Sequence, residues 1–124
     1  MKRRHVAKEI QALARTMGYE GHGELEVLFS NNLPGMINKM GNEHYYDNKN
    51  DVIACALWPT DFGMFVERPT IIVNTIYSNR LQWEKLQPYM MHEIAHLITE
   101  ETDGHPDFEA YCQVNAIPVW GDDE

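Results

Sequence analysis

The nine residues from 90 to 98, MMHEIAHLI, constrain this chain more than any other stretch. Met90, Met91, Ile94, Ala95, Leu97 and Ile98 are too apolar and too closely spaced for a solvated helix, so the segment reads as a helix packed inside the fold. On such a helix His92 and His96 stand four residues apart, one above the other on a single face. A buried neutral imidazole without a partner is costly, and two on one stripe ask for a shared partner. Glu93 is rotated about 100° from His92. It is badly placed to be a third ligand from that turn and well placed to touch a water bound to a metal that the two rings hold. These are the parts of the HExxH arrangement, in which zinc lowers the pKa of its water and the glutamate takes the proton and later delivers it.

A catalytic zinc ion takes three protein ligands and keeps an open position. His105 is the leading third candidate, because the Asp103-Gly104 turn gives the chain a route back to the helix. Glu109 is its rival, and Asp103 and Glu100 are further options. His5, His22 and His44 fall in the polar terminus or in loops, where a solvated role is the ordinary one. Tyr89 and Tyr111 are the phenols available to steady an oxyanion, although packing is the commoner role for an aromatic at such positions. Trp58 and Trp83 read as core or cleft wall.

Around this centre the pattern is helix, strands, then helices. Val6, Ile10, Leu13, Ala14 and Met17 form one helical stripe over about residues 3–17, with Gly18 as its stop. ELEVLFS alternates like a half-buried strand, and NNLPG follows as a turn. VIACALW reads as a buried strand closed by Pro59, GMFVE as a short strand, NKND as a turn, and TIIVNTIY, residues 70–77, as the strongest strand. That last strand is either an interior strand or an edge to which a substrate peptide adds. Ser78 or Asn79 caps the next helix, Pro88 suits a first turn, and the histidine helix ends near Asp103 with Gly104 as its stop. A short helix begins near Pro106. The expected fold is α+β: one domain over residues 1–124, with a small, mainly antiparallel sheet packed on an N-terminal helix and the HExxH helix.

With 124 residues and a formal charge of −9, strong nucleic-acid binding is not expected, because phosphates need basic surface. The basic run KRR at 2–4 reads as a solvated helix start. Cys55 and Cys112 are far apart and lack CxxC spacing, so they are expected to be reduced and inert, and a zinc ribbon is excluded by count. No segment has the pattern of a signal peptide or reaches transmembrane length. The expectation is a soluble, cytoplasmic monomer that does not engage membranes.

The stretch LQPYMMHEIAHLITEETDGHPDFEAY resembles the SprT-like (Spartan-like) zincin metallopeptidases and is similar to the related WLM and YgjP-type domains. These carry HExxH on a helix, a loop with a third histidine often beside glycine, a phenylalanine soon after it, and a preceding strand with an asparagine, as in IIVNTIY. The likeness covers roughly residues 66–112. It implies a minimal zincin fold, one Zn2+ per chain held by His92, His96 and His105, Glu93 as general base, and hydrolysis of peptide bonds in a protein or peptide substrate. The nine-residue step from His96 to His105, Pro106 after it, and Phe108 three residues on depart from the family's usual spacing. A non-catalytic, zinc-stabilised protein-binding module on the same scaffold is the alternative, and a metal-free interaction domain is a third reading.

Overall fold

Thr70–Asn74 (β3) forms the centre of a three-stranded sheet, and each of its residues is buried. The structure, a computed structural model, describes residues 2–39, 52–59 and 66–119. His44, the NKND turn and most of the GMFVE strand reading lie outside them. Glu26–Ser30 (β1) pairs with β3 in parallel, Leu28 opposite Ile72. Ala54–Leu57 (β2) pairs with its other side antiparallel, Cys55 opposite Ile72. The order is therefore β1-β3-β2 and the sheet is mixed, not mainly antiparallel. A parallel pair needs a long crossover, and the 39 residues between Ser30 and Thr70 supply it. With neighbours on both sides, β3 has no free edge, which decides for the interior reading of this strand over the edge one; among the described residues β2 lies at one side of the sheet, beside the HExxH helix.

Helices cover both faces of the sheet, which is why its strands read as continuous apolar runs. Arg3–Thr16 (α1) buries Val6, Ile10 and Ala14 at four-residue steps, against Ile71 and Val73 on one face of β3. Its end is a Schellman turn: Gly18 adopts φ 81° and the Tyr19 N–H reaches the Ala14 carbonyl at 3.0 Å. On the opposite face, Leu33 and Ile37 of Leu33–Lys39 (α2) pack on Ile72, Cys55 and Leu57. NNLPG is thus the start of a helix rather than a turn. The Asn32 side chain accepts from the Gly35 N–H at 3.2 Å, and Pro34 sits in the first turn, where a missing N–H costs nothing.

After β3 the chain makes one short helix, Thr75–Ser78 (α3), so the predicted strand ends three residues early. Asn74 forces the change: its side chain accepts from the Ile76 N–H at 3.1 Å and donates to the Val52 carbonyl at 2.9 Å. Trp83–Thr99 (α4) then lays Leu86, Met90, Ile94 and Leu97 on the same core as α1. Pro88 stands at its sixth position rather than in its first turn. The helix stops at Thr99, four residues before the expected end, with Glu100 left-handed at φ 54°. Pro106–Val114 (α5) starts where the sequence places it. Its Phe108 and Cys112 pack with Ala95 of α4 and Ile117. The architecture is α+β, with five helices and three strands among the described residues. No helix there is long and apolar enough to cross a membrane.

Candidate metal centre

Because α4 presents residues four apart on one side, His92 and His96 point together away from its core stripe. Both are nearly buried, 5% and 7% exposed. Their Nε2 atoms lie 3.2 Å apart. The early end of α4 turns the chain back over this seam, and Asp103 arrives with Oδ1 3.0 Å from His92 Nε2 and 3.2 Å from His96 Nε2. His92, His96 and Asp103 are thus close enough together to hold one metal ion.

The other side of each ring explains why these atoms face one another. His92 Nδ1 meets the Pro118 carbonyl at 2.9 Å, and His96 Nδ1 meets the Glu101 carbonyl at 2.7 Å. A carbonyl only accepts, so each Nδ1 carries the hydrogen and donates it. In the neutral rings both Nε2 atoms then carry lone pairs, and Asp103 adds a carboxylate oxygen. Three lone-pair-bearing atoms at such separations repel unless a positive charge, a proton or a metal ion, sits among them. The distances suit an ion: bonds of about 2.0–2.1 Å in a tetrahedron place ligands roughly 3.3 Å apart.

When a proton rather than an ion lies in the seam, burial works against ionisation of Asp103, but hydrogen bonds with His92 and His96 hold its carboxyl well below the usual carboxylate range. Burial works against a charged His92, but the Asp103 carboxylate, Glu93 and the Pro118 carbonyl together outweigh it, so the ring's pKa is raised. Glu93 lies between this seam and the sheet. It retains partial exposure, yet burial pushes its carboxyl up to about 7, opposed by the nearby His96 and His92 rings. Its carboxylate accepts from the Ala56 N–H of β2. That N–H points away from β3, since the Asn74 N–H bonds the Ile53 carbonyl and antiparallel residues alternate in direction.

Aromatic rings hold the seam in place. Phe108, fully buried, stacks on His96 with centroids 4.0 Å apart and meets His92 edge-on at 5.1 Å. Trp58 lies parallel to His96 at 6.2 Å, so it serves as wall to the seam as well as core. Trimming a buried ring of this kind costs about 3–5 kcal/mol. Tyr111 packs partly against the cluster of Ala95, Phe108, Cys112 and Ile117, as an ordinary aromatic would.

His105 stands apart from the group. It caps α5: its Nδ1 accepts from the Asp107 N–H at 3.1 Å, which leaves the ring hydrogen on Nε2, 3.0 Å from Glu101 Oε2. Both ring nitrogens are therefore engaged away from His92 and His96. The cause is where α4 ends. A stop at Thr99 spends residues 100–104 on the turn, so Asp103 reaches the seam and His105 falls on the next helix. Glu109 is exposed on α5, outside the group. His5 is exposed beside Glu9, and His22 bonds the Tyr19 carbonyl in its loop. Cys55 and Cys112 are both buried and no disulfide joins them, and burial pushes the Cys112 thiol up to about 11. Composition gave no sign of the Glu101 and Pro118 carbonyls or the Ala56 N–H, because backbone groups carry no residue signature. Comparisons with protein-family models, with curated proteins and with solved structures give no match.

Proposed function

We propose that the chain is a zinc-dependent peptidase of the zincin type, with His92, His96 and Asp103 as the ion's protein ligands and Glu93 as general base. The observation that carries the reading is the convergence of two Nε2 lone pairs and a carboxylate oxygen within 3.2 Å, beside a partly exposed glutamate of raised pKa. Two imidazoles and a carboxylate also suit non-haem iron. Zinc is favoured here because Glu93 has no part in such an iron site and an obvious one in hydrolysis. When bound, zinc acidifies a water and polarises a carbonyl.

The chain's own groups do the rest. Glu93, steadied by the Ala56 N–H, takes the proton of the attacking water on its carboxylate and passes it to the amine that leaves. Phe108 and Trp58 keep the His96 ring fixed and limit water around it. The substrate would be an extended segment of unfolded or looped protein. Treating the purified chain with a zinc chelator is expected to abolish cleavage of an unfolded protein substrate, and added zinc to restore it. Cleavage that persists through complete zinc removal would sink the proposal.

A further inference from the structure

Two residues other than glycine adopt positive φ among the described residues, Glu100 at 54° and Ala116 at 56°. Each stands just past a helix: Glu100 is the C-cap of α4, and Ala116 follows Asn115, the C-cap of α5. A side chain in this region is disfavoured, and glycine would avoid the penalty. Each of these turns leads within two residues to a carbonyl that meets a site histidine. After Glu100 comes the Glu101 carbonyl, 2.7 Å from His96 Nδ1, and after Ala116 comes the Pro118 carbonyl, 2.9 Å from His92 Nδ1. The second turn is pinned between them by Ile117, which is buried with Ala95, Phe108 and Cys112 and whose N–H donates to the Cys112 carbonyl at 2.8 Å. Strain that persists where the surroundings over-determine it is a mark of functional positions. Both strained residues of the described chain serve the same pair of rings.

Resting on the metal-centre reading, we infer that the Glu100–Glu101 and Ala116–Pro118 turns are paired clamps that hold His96 and His92 in the Nδ1–H tautomer, with both Nε2 lone pairs preset for one ion. They are positioning elements and touch neither ion nor substrate. An imidazole in water divides between its two tautomers, and the Nε2–H form does not ligate through Nε2. A donor bond from Nδ1 to a fixed carbonyl removes that form and the ring's rotation together, as outer partners of metal-bound histidines do. The clamp on His92 comes from beyond α5, so the segment through Pro118 belongs to the centre.

The test compares Ala116→Val and Glu100→Val with Ala116→Gly and Glu100→Gly. A β-branched residue resists positive φ, whereas glycine keeps the turn. The valine variants are expected to bind zinc about 10–100-fold more weakly in competition with a fluorescent chelator, and the glycine variants to bind like wild type. Long-range 15N NMR of the metal-free chain, well above the histidine pKa range, reads the tautomers directly. Wild type is expected to show Nδ1–H on both rings, with Ala116→Val disturbing His92 alone and Glu100→Val His96 alone. A general loss of packing would lower thermal stability without that selectivity. An Nε2–H ring in wild type, or valine variants with unchanged tautomers and zinc affinity, overturns the clamps. The tautomers are read without metal, so they judge the clamps even if wild type takes up no zinc, a result that would instead count against the metal centre.

Discussion

Glu93→Gln is expected to lower the rate of peptide-bond cleavage about 10²–10⁴-fold, the usual worth of a positioned general base, while zinc content stays at the wild-type level. Glutamine keeps the shape of the side chain but cannot take a proton. Three observations support the proposed base. Glu93 is partly buried on α4, its carboxylate accepts from the Ala56 N–H of β2, and burial pushes its pKa up to about 7. A dication between the neighbouring histidines would pull that value down and favour the ionised base. Steady-state kinetics on an unfolded protein, with metal content measured on the same preparation, check both halves of the expectation. Full activity in the glutamine variant would remove Glu93 from the chemistry.

The second large effect separates two candidates for the third ligand. Asp103→Ala is expected to weaken zinc binding by more than the roughly 10–100-fold that loss of an outer partner costs, whereas His105→Ala should leave affinity near wild type. The carboxylate of Asp103 lies 3.0 and 3.2 Å from the two Nε2 atoms, while the His105 ring is spent on Asp107 and Glu101. Competition titrations with a chelator of known affinity give the comparison. The opposite ranking would assign the third corner to His105, as the SprT-like resemblance implies. It would also require the 100–105 turn to rebuild around the ion.

The histidine helix, α1 and α5 were legible because each rests on local pattern: apolar residues at helical steps, Gly18 at a C-terminus, Pro106 at an N-terminus. The sheet was less so. Strand segments show in composition, but β1 pairs with β3 in parallel across most of the intervening chain, and nothing local to ELEVLFS records its partner. NNLPG misled because asparagine and proline serve turns and helix starts alike, and only the burial of Leu33 and Ile37 decides between them. The end of α4 was the costliest misreading for the site. Thr99, Glu100, Glu101 and Thr102 carry no glycine to mark a stop, and Glu100 takes the left-handed conformation that glycine normally fills. That four-residue difference moves Asp103 into the seam and His105 out of it.

Whether His92 and His96 share a zinc ion is decided by elemental analysis of the chain purified without metal-affinity resin, beside the double variant His92→Ala, His96→Ala. About one zinc ion is expected per wild-type chain and essentially none in the double variant. Substoichiometric zinc in wild type, or equal zinc in the two proteins, would rule out the shared ion.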